Sequence, residues 1–161
     1  MTWAPRENSR LLLDTNVLVL FAVGTVNRHR IPTFKRTSQY TIQDFDLLLN
    51  VLEQWRLHYT VPHVLAEVSN LTDLAGAERL RVREVLKETI SILTEVAIPS
   101  AHAALDPSYP ALGLADASIV AVAREHQCAV LTDDLDLYLW LQRDRIPVLN
   151  FTHLRSHALE G

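Results

Sequence analysis

The stretch Leu11-Leu12-Leu13-Asp14-Thr15-Asn16-Val17-Leu18 places an acidic residue between two apolar runs. Leu11 to Leu13 predict a short buried strand, and the apolar run that resumes at Val17 predicts a buried helix. A carboxylate buried between these two segments is costly unless something pairs with it. At the carboxyl end of a strand in an α/β sheet, however, Asp14 would point into the crevice where such folds bind ligands. We therefore expect the rest of the chain to bring further carboxylates to that point.

The composition is that of one globular domain. The chain has 161 residues, of which 48% are hydrophobic, and this is enough apolar material for a sizeable core. We therefore expect a single domain over residues 1–161, with residues 1–9 as a candidate flexible end. The net charge of -4 gives no global basic field of the kind that marks many nucleic-acid-binding proteins. Acidic residues concentrated in one pocket would nevertheless leave room for a basic rim.

Two features predict a cytoplasmic protein without a membrane segment. Residues 1–10 lack the apolar core of a signal peptide, and the longest apolar run, 11–23, is interrupted by Asp14 and Asn16 and is too short to span a bilayer. Cys128 is the single cysteine, which rules out an internal disulfide and a thiolate zinc cluster and fits a reducing cytosol.

Strand and helix signals alternate along the chain. Short apolar runs predict five strands, at residues 11–13, 57–61, 94–98, 129–131 and 148–149. Helical periodicity and capping residues predict helices at 17–23, 41–55, 62–70, 77–92, 100–105, 112–126 and 134–143, with a last one through 154 and a loop at 106–110. Strands separated by helices predict βαβ units. The expected fold class is therefore α/β, with a central, mostly parallel sheet of about five strands and helices on both faces.

Local signals set some boundaries. Gly24 is predicted to end the first helix. Thr41 followed by Asp44 resembles a capping box and predicts the start of the next helix. The polar segment between these helices, at about residues 25–40, is predicted to be an irregular insertion.

Four acidic residues fall at comparable places in this scheme. Asp14 ends the first strand, Glu67 lies in the helix after the second, Asp116 lies early in the helix before the fourth, and Asp134 follows the fourth. In a parallel sheet these positions share one edge, so the four carboxylates can converge. Clustered carboxylates repel one another, and a hard cation such as Mg²⁺ or Mn²⁺ relieves that repulsion. The alternative is that they are helix caps and surface acids, since aspartate is a good N-cap residue.

With these blocks in order, the chain resembles the PIN-domain family of metal-dependent ribonucleases, which includes many toxins of toxin–antitoxin pairs. The matching blocks lie at residues 12–18, 64–68, 114–119 and 130–137. No single block is specific, but the four together are fairly specific to the family. The resemblance implies a three-layer α/β/α PIN-like fold, an acidic pocket that binds Mg²⁺ or Mn²⁺, and hydrolysis of RNA that leaves a 5′-phosphate.

The resemblance also implies roles for the four acids, carried over position by position. Asp14 would be the central metal ligand, and Glu67 and Asp116 would complete the main catalytic site. Asp134 would be the fourth acid, often acting through water. All four are thus candidate catalytic residues and candidate metal ligands.

Further positions match the family's supporting residues. Asn16 and Thr132 would orient waters and the ligating carboxylates. The family's fourth block usually has one acid two residues after the threonine. This selects Asp134 and leaves Asp133 and Asp136 as supporting or structural residues.

Two features are left open by the sequence. The segment at 25–39 looks long for a compact toxin of this family, and it is either an RNA-contacting flap or a solvated loop. Because arginine and lysine supply most contacts to phosphates, its candidate RNA contacts are Arg28, Arg30, Lys35 and Arg36. His63 precedes Glu67 by one helical turn and is either a further metal ligand or a capping or surface residue.

The leading interpretation is a Mg²⁺- or Mn²⁺-dependent endoribonuclease, with the toxin of a toxin–antitoxin pair as its narrower form. RNA is then the substrate, and the family implies a homodimer and a cognate antitoxin as candidate partners. The alternative is a non-catalytic PIN-like module that binds RNA or protein; loss of an acid would mark it, and all four acids are present. Phosphoryl-transfer or signalling domains fit poorly, because Asn16 stands where an aspartyl phosphatase needs a second aspartate.

Overall fold

A computed structural model describes residues 9–161. Its five strands form one sheet in the order β3-β2-β1-β4-β5, and every neighbouring pair is parallel. The strands are β1 (Arg10–Leu13), β2 (Leu57–Thr60), β3 (Thr94–Glu95), β4 (Ala129–Thr132) and β5 (Val148–Asn150). The predicted five-stranded parallel sheet of an α/β fold is therefore confirmed.

Nine α-helices connect and cover these strands within residues 9–161. They are α1 (Thr15–Val26), α2 (Ile42–Glu53), α3 (Pro62–Leu71), α4 (Ala77–Ile92), α5 (Ser100–Ala103), α6 (Tyr109–Leu112), α7 (Leu114–His126), α8 (Leu135–Arg143) and α9 (Phe151–Glu160). Successive residues of a strand point to opposite faces of its sheet. Leu11 and Leu12 are both fully buried, so helices cover both faces of the central strand.

The order of the strands creates a crevice beside β1. The chain builds β1, β2 and β3 outward in one direction and then crosses over to place β4 and β5 on the other side of β1. Such a switch point leaves a crevice at the carboxyl ends of the two central strands, where ligands bind in open α/β sheets. Asp14 directly follows β1 and Asp134 lies two residues after the end of β4, so both lie at this crevice.

The first helix is longer than predicted. It runs through Gly24 and ends at Val26. The glycine is required by packing and not by helix termination, because a Cβ at residue 24 would lie 2.3 Å from Cδ2 of Phe45 on α2. The prediction that Gly24 ends α1 was therefore wrong.

Three further boundaries differ from the predictions. β3 ends at Glu95 instead of residue 98, because its partner β2 ends at Thr60 and leaves the following residues without a strand to pair with. α6 begins at Tyr109, inside the predicted loop at 106–110, and α5 ends at Ala103 instead of residue 105, with Pro99 as its N-cap. α9 continues to Glu160, well beyond residue 154.

The segment after α1 is irregular but packed. It contains a short 3₁₀ helix at Arg28–Arg30 and a series of turns, while Ile31 and Thr37 are fully buried. Thr37 Oγ1 donates to the carbonyl of Ile31 over 2.8 Å. Residues 27–40 thus contain only turns and this short helix, and the buried contacts show that the segment is not simply a solvated loop.

The ends of the described chain bear on the remaining predictions. Residues 1–8 of the predicted flexible end lie outside the described residues. Ser9 is buried, and its carbonyl accepts a hydrogen bond from the backbone N–H of Leu57 over 3.2 Å. Within residues 9–161, no helix combines the length and the apolar character needed to cross a bilayer.

Candidate active site

A cleft of about 320 Å³ lies at the crevice beside β1. The four predicted acids line it together, although they come from four separate segments: Asp14, Glu67, Asp116 and Asp134. Asn16 lines it too, whereas no lysine or arginine does so among the residues that the structure describes. The fold thus concentrates oxygen ligands and negative charge in one place.

Asp14 is held at the floor of this cleft by hydrogen bonds to both of its carboxylate oxygens. As the N-cap of α1 it accepts from the backbone N–H of Thr15 over 2.7 Å. Its other oxygen accepts from Thr132 Oγ1 over 2.5 Å. Burial nevertheless raises the pKa of Asp14 to about 6, because it outweighs these two hydrogen bonds and is reinforced by the charges of Asp133 and Asp134.

Thr132 connects the two sides of the switch point. Its hydroxyl donates to Asp14, and the same oxygen accepts from the backbone N–H of Asp134 over 3.0 Å. Asp134 is in turn the N-cap of α8 and accepts from the backbone N–H of Leu137 over 2.9 Å. Asp14 and Asp134 are therefore helix caps as well as cleft residues, so the two alternatives raised by the sequence are compatible.

Asp116 lies in the first turn of α7, after Gly113, whose φ of 83° turns the chain into the helix. No residue in the range 9–161 makes a hydrogen bond to its carboxylate. Burial raises the pKa of Asp116 to about 8, and the charges of Asp14, Asp134 and Glu67 add to that rise. Among the four acids, Asp116 therefore has the greatest need for a positive charge nearby.

Glu67 reaches the cleft from α3 and is tied to α1. Its Oε2 accepts from Thr15 Oγ1 over 2.9 Å. Thr15 was not among the predicted site residues, so its contact with Glu67 was missed. Its position directly after Asp14 was the one available signal.

The adjacent aspartates have different surroundings. Asp134 lines the cleft, whereas Asp133 accepts hydrogen bonds from Asn16 Nδ2, over 3.2 Å, and from the hydroxyl of Tyr40. Burial, followed by the charge of Asp133, raises the pKa of that tyrosine. Asp136 does not line the cleft, although its charge adds to the raised pKa of Asp116.

His63 lies outside the cleft, although it is one turn from Glu67. Its Nε2 is 2.8 Å from Ser100 Oγ and its Nδ1 is 3.1 Å from Ser118 Oγ. Both ring nitrogens are therefore occupied by serine hydroxyls. This geometry favours the structural reading of His63 over a metal ligand.

The candidate RNA contacts are mostly paired with carboxylates. Arg28 forms an ion pair with Asp46. Arg30 Nε lies 2.6 Å from Glu78 Oε1, and Lys35 Nζ lies 3.2 Å from Asp73 Oδ2. Arg36 has no such ion pair with any residue between 9 and 161.

The chemistry of the cleft fits a hard divalent cation. Its donors are carboxylate and amide oxygens, and its charge is uncompensated by any described cation. Within residues 9–161, no three acidic, histidine or cysteine side chains already form a compact ligand cluster. Mg²⁺ is typically held by only one or two carboxylates together with several waters, so a loose arrangement of acids is compatible with it.

Comparison with known proteins adds a family match. The family model described as PIN domain matches residues 11–139, a range that includes all four acids of the cleft. A comparison with curated proteins finds no match.

Proposed function

This chain belongs to the PIN-domain family, and from that premise we propose that it is a Mg²⁺- or Mn²⁺-dependent endoribonuclease. PIN domains are generally nucleases. The observation that carries the proposal is the cleft itself, which four acidic residues from separate segments line without a lysine or arginine among the described lining residues. Residues 1–161 would act as one nuclease domain.

Asp14, Glu67, Asp116 and Asp134 are the residues that would hold the cation. When bound, Mg²⁺ or Mn²⁺ would supply a Lewis acid that polarises the phosphodiester and lowers the pKa of water. The chain itself orients the carboxylates. Thr132 and the N–H of Thr15 hold Asp14, while the hydroxyl of Thr15 holds Glu67, which limits the rotation of both acids.

Asp116 gives the site a dependence on pH. Its raised pKa of about 8 keeps much of this carboxyl protonated at neutral pH while no cation is bound. A carboxylate must lose its proton to act as a ligand, so binding of the cation at this site releases a proton.

Asn16 adds an amide group to the lining of the cleft, and the same side chain donates a hydrogen bond to Asp133.

The narrower proposal is that the chain is the toxin of a toxin–antitoxin pair. It would act in the cytoplasm as a homodimer, with RNA as substrate and a cognate antitoxin as partner. Its support is the resemblance of the four sequence blocks to such toxins. The alternative function is a non-catalytic PIN-like module that binds RNA or protein, and it is favoured by the lack of a compact ligand cluster within residues 9–161.

Cleavage of single-stranded RNA by the wild type and by Asp116→Asn tests these alternatives. We expect Mn²⁺-dependent cleavage that leaves 5′-phosphates. The cleavage rate of the variant should be more than about 100-fold lower, since changing even a group that only supports a metal ligand lowers activity or metal affinity by about 10–100-fold. Glu88→Gln is the control, because it removes one carboxylate from an exposed position on α4.

Two outcomes would contradict the proposal in different ways. If Asp116→Asn cleaves RNA as fast as Glu88→Gln, the assignment of Asp116 to the catalytic site is wrong. A folded wild type that binds RNA but does not cleave it with either metal would favour the binding module.

A further inference from the structure

A second cavity lies beside the acidic cleft, and we propose that it binds a backbone phosphate of the RNA through Arg79 and Arg83. Its volume is about 430 Å³. The end of α3, the connection to α4 and the first two turns of α4 enclose it. This inference rests on the proposed ribonuclease function, and it names a place where the substrate is held away from the scissile bond.

Two arginines give this cavity its charge. Arg79 and Arg83 lie four residues apart on α4, so their side chains share one face of the helix. Both are exposed, and neither forms an ion pair with a carboxylate of residues 9–161. Paired guanidinium groups match phosphate oxygens through two parallel hydrogen bonds each.

The single acid of the cavity is already neutralised. Asp73 lines it, but its carboxylate is bonded to Lys35, which lowers the pKa of Asp73. The charge of Arg36 contributes to the same lowering. The charge of the cavity is therefore positive, in contrast to the chain as a whole.

Polar groups and an open backbone make up much of the remaining lining. Ser69 and Asn70 contribute a hydroxyl and an amide group, beside the apolar Leu74 and Ala75. Gly76 has a φ of 62°, and a Cβ built on it would meet no atom within 4 Å. The backbone is thus accessible at the start of α4, where no side chain caps the first N–H groups.

The cavity continues from the acidic cleft along one helix. α3 presents Glu67 and Leu71 to the cleft, and Ser69 and Asn70 to the cavity. Glu67 and Asn70 are separated by about 4.5 Å along the helix axis, at about 1.5 Å per residue. Leu71 lines the cleft and the next residue, Thr72, lines the cavity, so the two adjoin at the end of α3. We therefore expect an RNA strand bound in the cleft to extend toward the arginines.

The irregular segment after α1 is fixed to the same rim. Arg30 is paired with Glu78 and Lys35 with Asp73, and both acids belong to the start of α4 or the connection before it. Arg30 and Lys35, two of the candidate RNA contacts, are therefore used to position the segment. Arg79 and Arg83 remain as the cations of the cavity without an ion pair among residues 9–161.

The test is the salt dependence of RNA binding in EDTA, where cleavage does not interfere. Fluorescence anisotropy of a labelled single-stranded oligoribonucleotide is measured for the wild type and for Arg79→Ala/Arg83→Ala. The control is Arg56→Ala/Arg81→Ala, which removes the same charge from exposed positions outside the cavity. Each phosphate contact contributes about 0.7 to the slope of log affinity against log salt for a single strand.

We expect the cavity variant to lose about 0.7 to 1.4 of this slope and about tenfold in affinity at low salt. The control should lose neither. Equal slopes for the two double variants would overturn the inference, and so would a wild type that does not bind the oligoribonucleotide.

A separate cleavage assay with Mn²⁺ distinguishes this inference from the proposed function. The cavity inference fails and the ribonuclease proposal stands if the wild type cleaves RNA but the salt dependence of RNA binding is the same for the wild type and the cavity variant. The cavity binds RNA and the ribonuclease proposal fails if the salt dependence is weaker in the cavity variant but the wild type does not cleave RNA.

Discussion

Asp116 and Asp14 are kept in surroundings that disfavour their charged forms. The pKa of Asp14 is raised to about 6 and that of Asp116 to about 8, from an ordinary value of 3.8. Burial is the largest cause for both, but only Asp14 has hydrogen bonds that oppose it. Burying these acids without a cation lowers the free energy of unfolding of the metal-free protein, a cost that stability alone would not explain.

This cost predicts that Asp116→Asn stabilises the metal-free protein. Because the folded pKa of Asp116 lies above its unfolded value, the folded state binds more protons than the unfolded state between about pH 4 and pH 8. The free energy of unfolding therefore falls as the pH rises through this range, and an asparagine does not suffer this loss. Thermal unfolding in EDTA should show the variant gaining over the wild type from about pH 5 to about pH 8.

Asp106→Asn is the comparison of opposite sign. Burial alone would raise the pKa of Asp106, but hydrogen bonds from Ser108, over 2.6 Å, and from Arg124, over 2.8 Å, outweigh it and lower the pKa. This variant should therefore be less stable than the wild type near neutral pH, with the difference shrinking as the wild-type carboxyl protonates at acid pH. If Asp116→Asn is less stable than the wild type at both pH 5 and pH 8, the raised pKa assigned to Asp116 is wrong.

The residues that sequence could identify are those with a local pattern. Each of the four cleft acids sits in a short block of apolar and acidic residues, and that block is visible without knowledge of the fold. Tyr40 had no such signal, because its partner Asp133 lies 93 residues away. The family's pattern selected Asp134 over Asp133, but the bonds of Asp133 to Asn16 and Tyr40 join distant parts of the chain and had no local signal.

At the scale of elements, helices with local signals were predicted best. α4 has the bounds expected from its periodicity, at Ala77 and Ile92. The capping box of Thr41 and Asp44 is present at the start of α2. β3 was overestimated because the end of an edge strand depends on its neighbour β2. The length of α1 was underestimated because the sequence does not reveal that Gly24 faces an aromatic ring.

The contact between α1 and α2 predicts that Gly24→Ala destabilises the protein. An added Cβ would lie 2.3 Å from Cδ2 of Phe45, so the ring or the helices must shift. Overpacking of this kind costs about 1–3 kcal/mol, which exceeds the gain of up to about 1 kcal/mol that alanine brings over glycine in a helix. Urea denaturation should show a lower midpoint with an unchanged slope.

A second substitution separates this contact from a general effect on α1. In a Gly24→Ala/Phe45→Leu variant the aromatic ring is absent, so the added methyl group should cost less than it does beside Phe45. The double-mutant cycle should therefore give a favourable coupling energy of about 0.5–3 kcal/mol. Additive losses would show that the crowding at residue 24 has another origin.

At the scale of the whole molecule, the distribution of charge matters more than its sum. The net charge of -4 argued against nucleic acid, yet the acids of the cleft and the unpaired arginines of the second cavity are separated along α3 and α4. Such separation lets an acidic site attract a cation while an adjoining surface holds a polyanion. Composition could not show this, because it does not record which charges share a surface.

Because the acidic residues of the cleft lie apart from the arginines of the second cavity, we expect a metal ion to bind in the cleft and thereby to stabilise the domain. A cation that binds only the folded state, at about 100 times its dissociation constant, adds roughly 2.7 kcal/mol to the free energy of unfolding. For a domain of this size the melting temperature should rise by roughly 5–10 °C. Thermal unfolding with Mg²⁺ or Mn²⁺ at about pH 8 should show this rise in the wild type and in Glu88→Gln, but not in Asp116→Asn, because the variant lacks one of the carboxylates that would hold the cation. An equal rise in all three proteins would place the bound metal outside the cleft, and the four carboxylates would then have to be read as helix caps and surface acids.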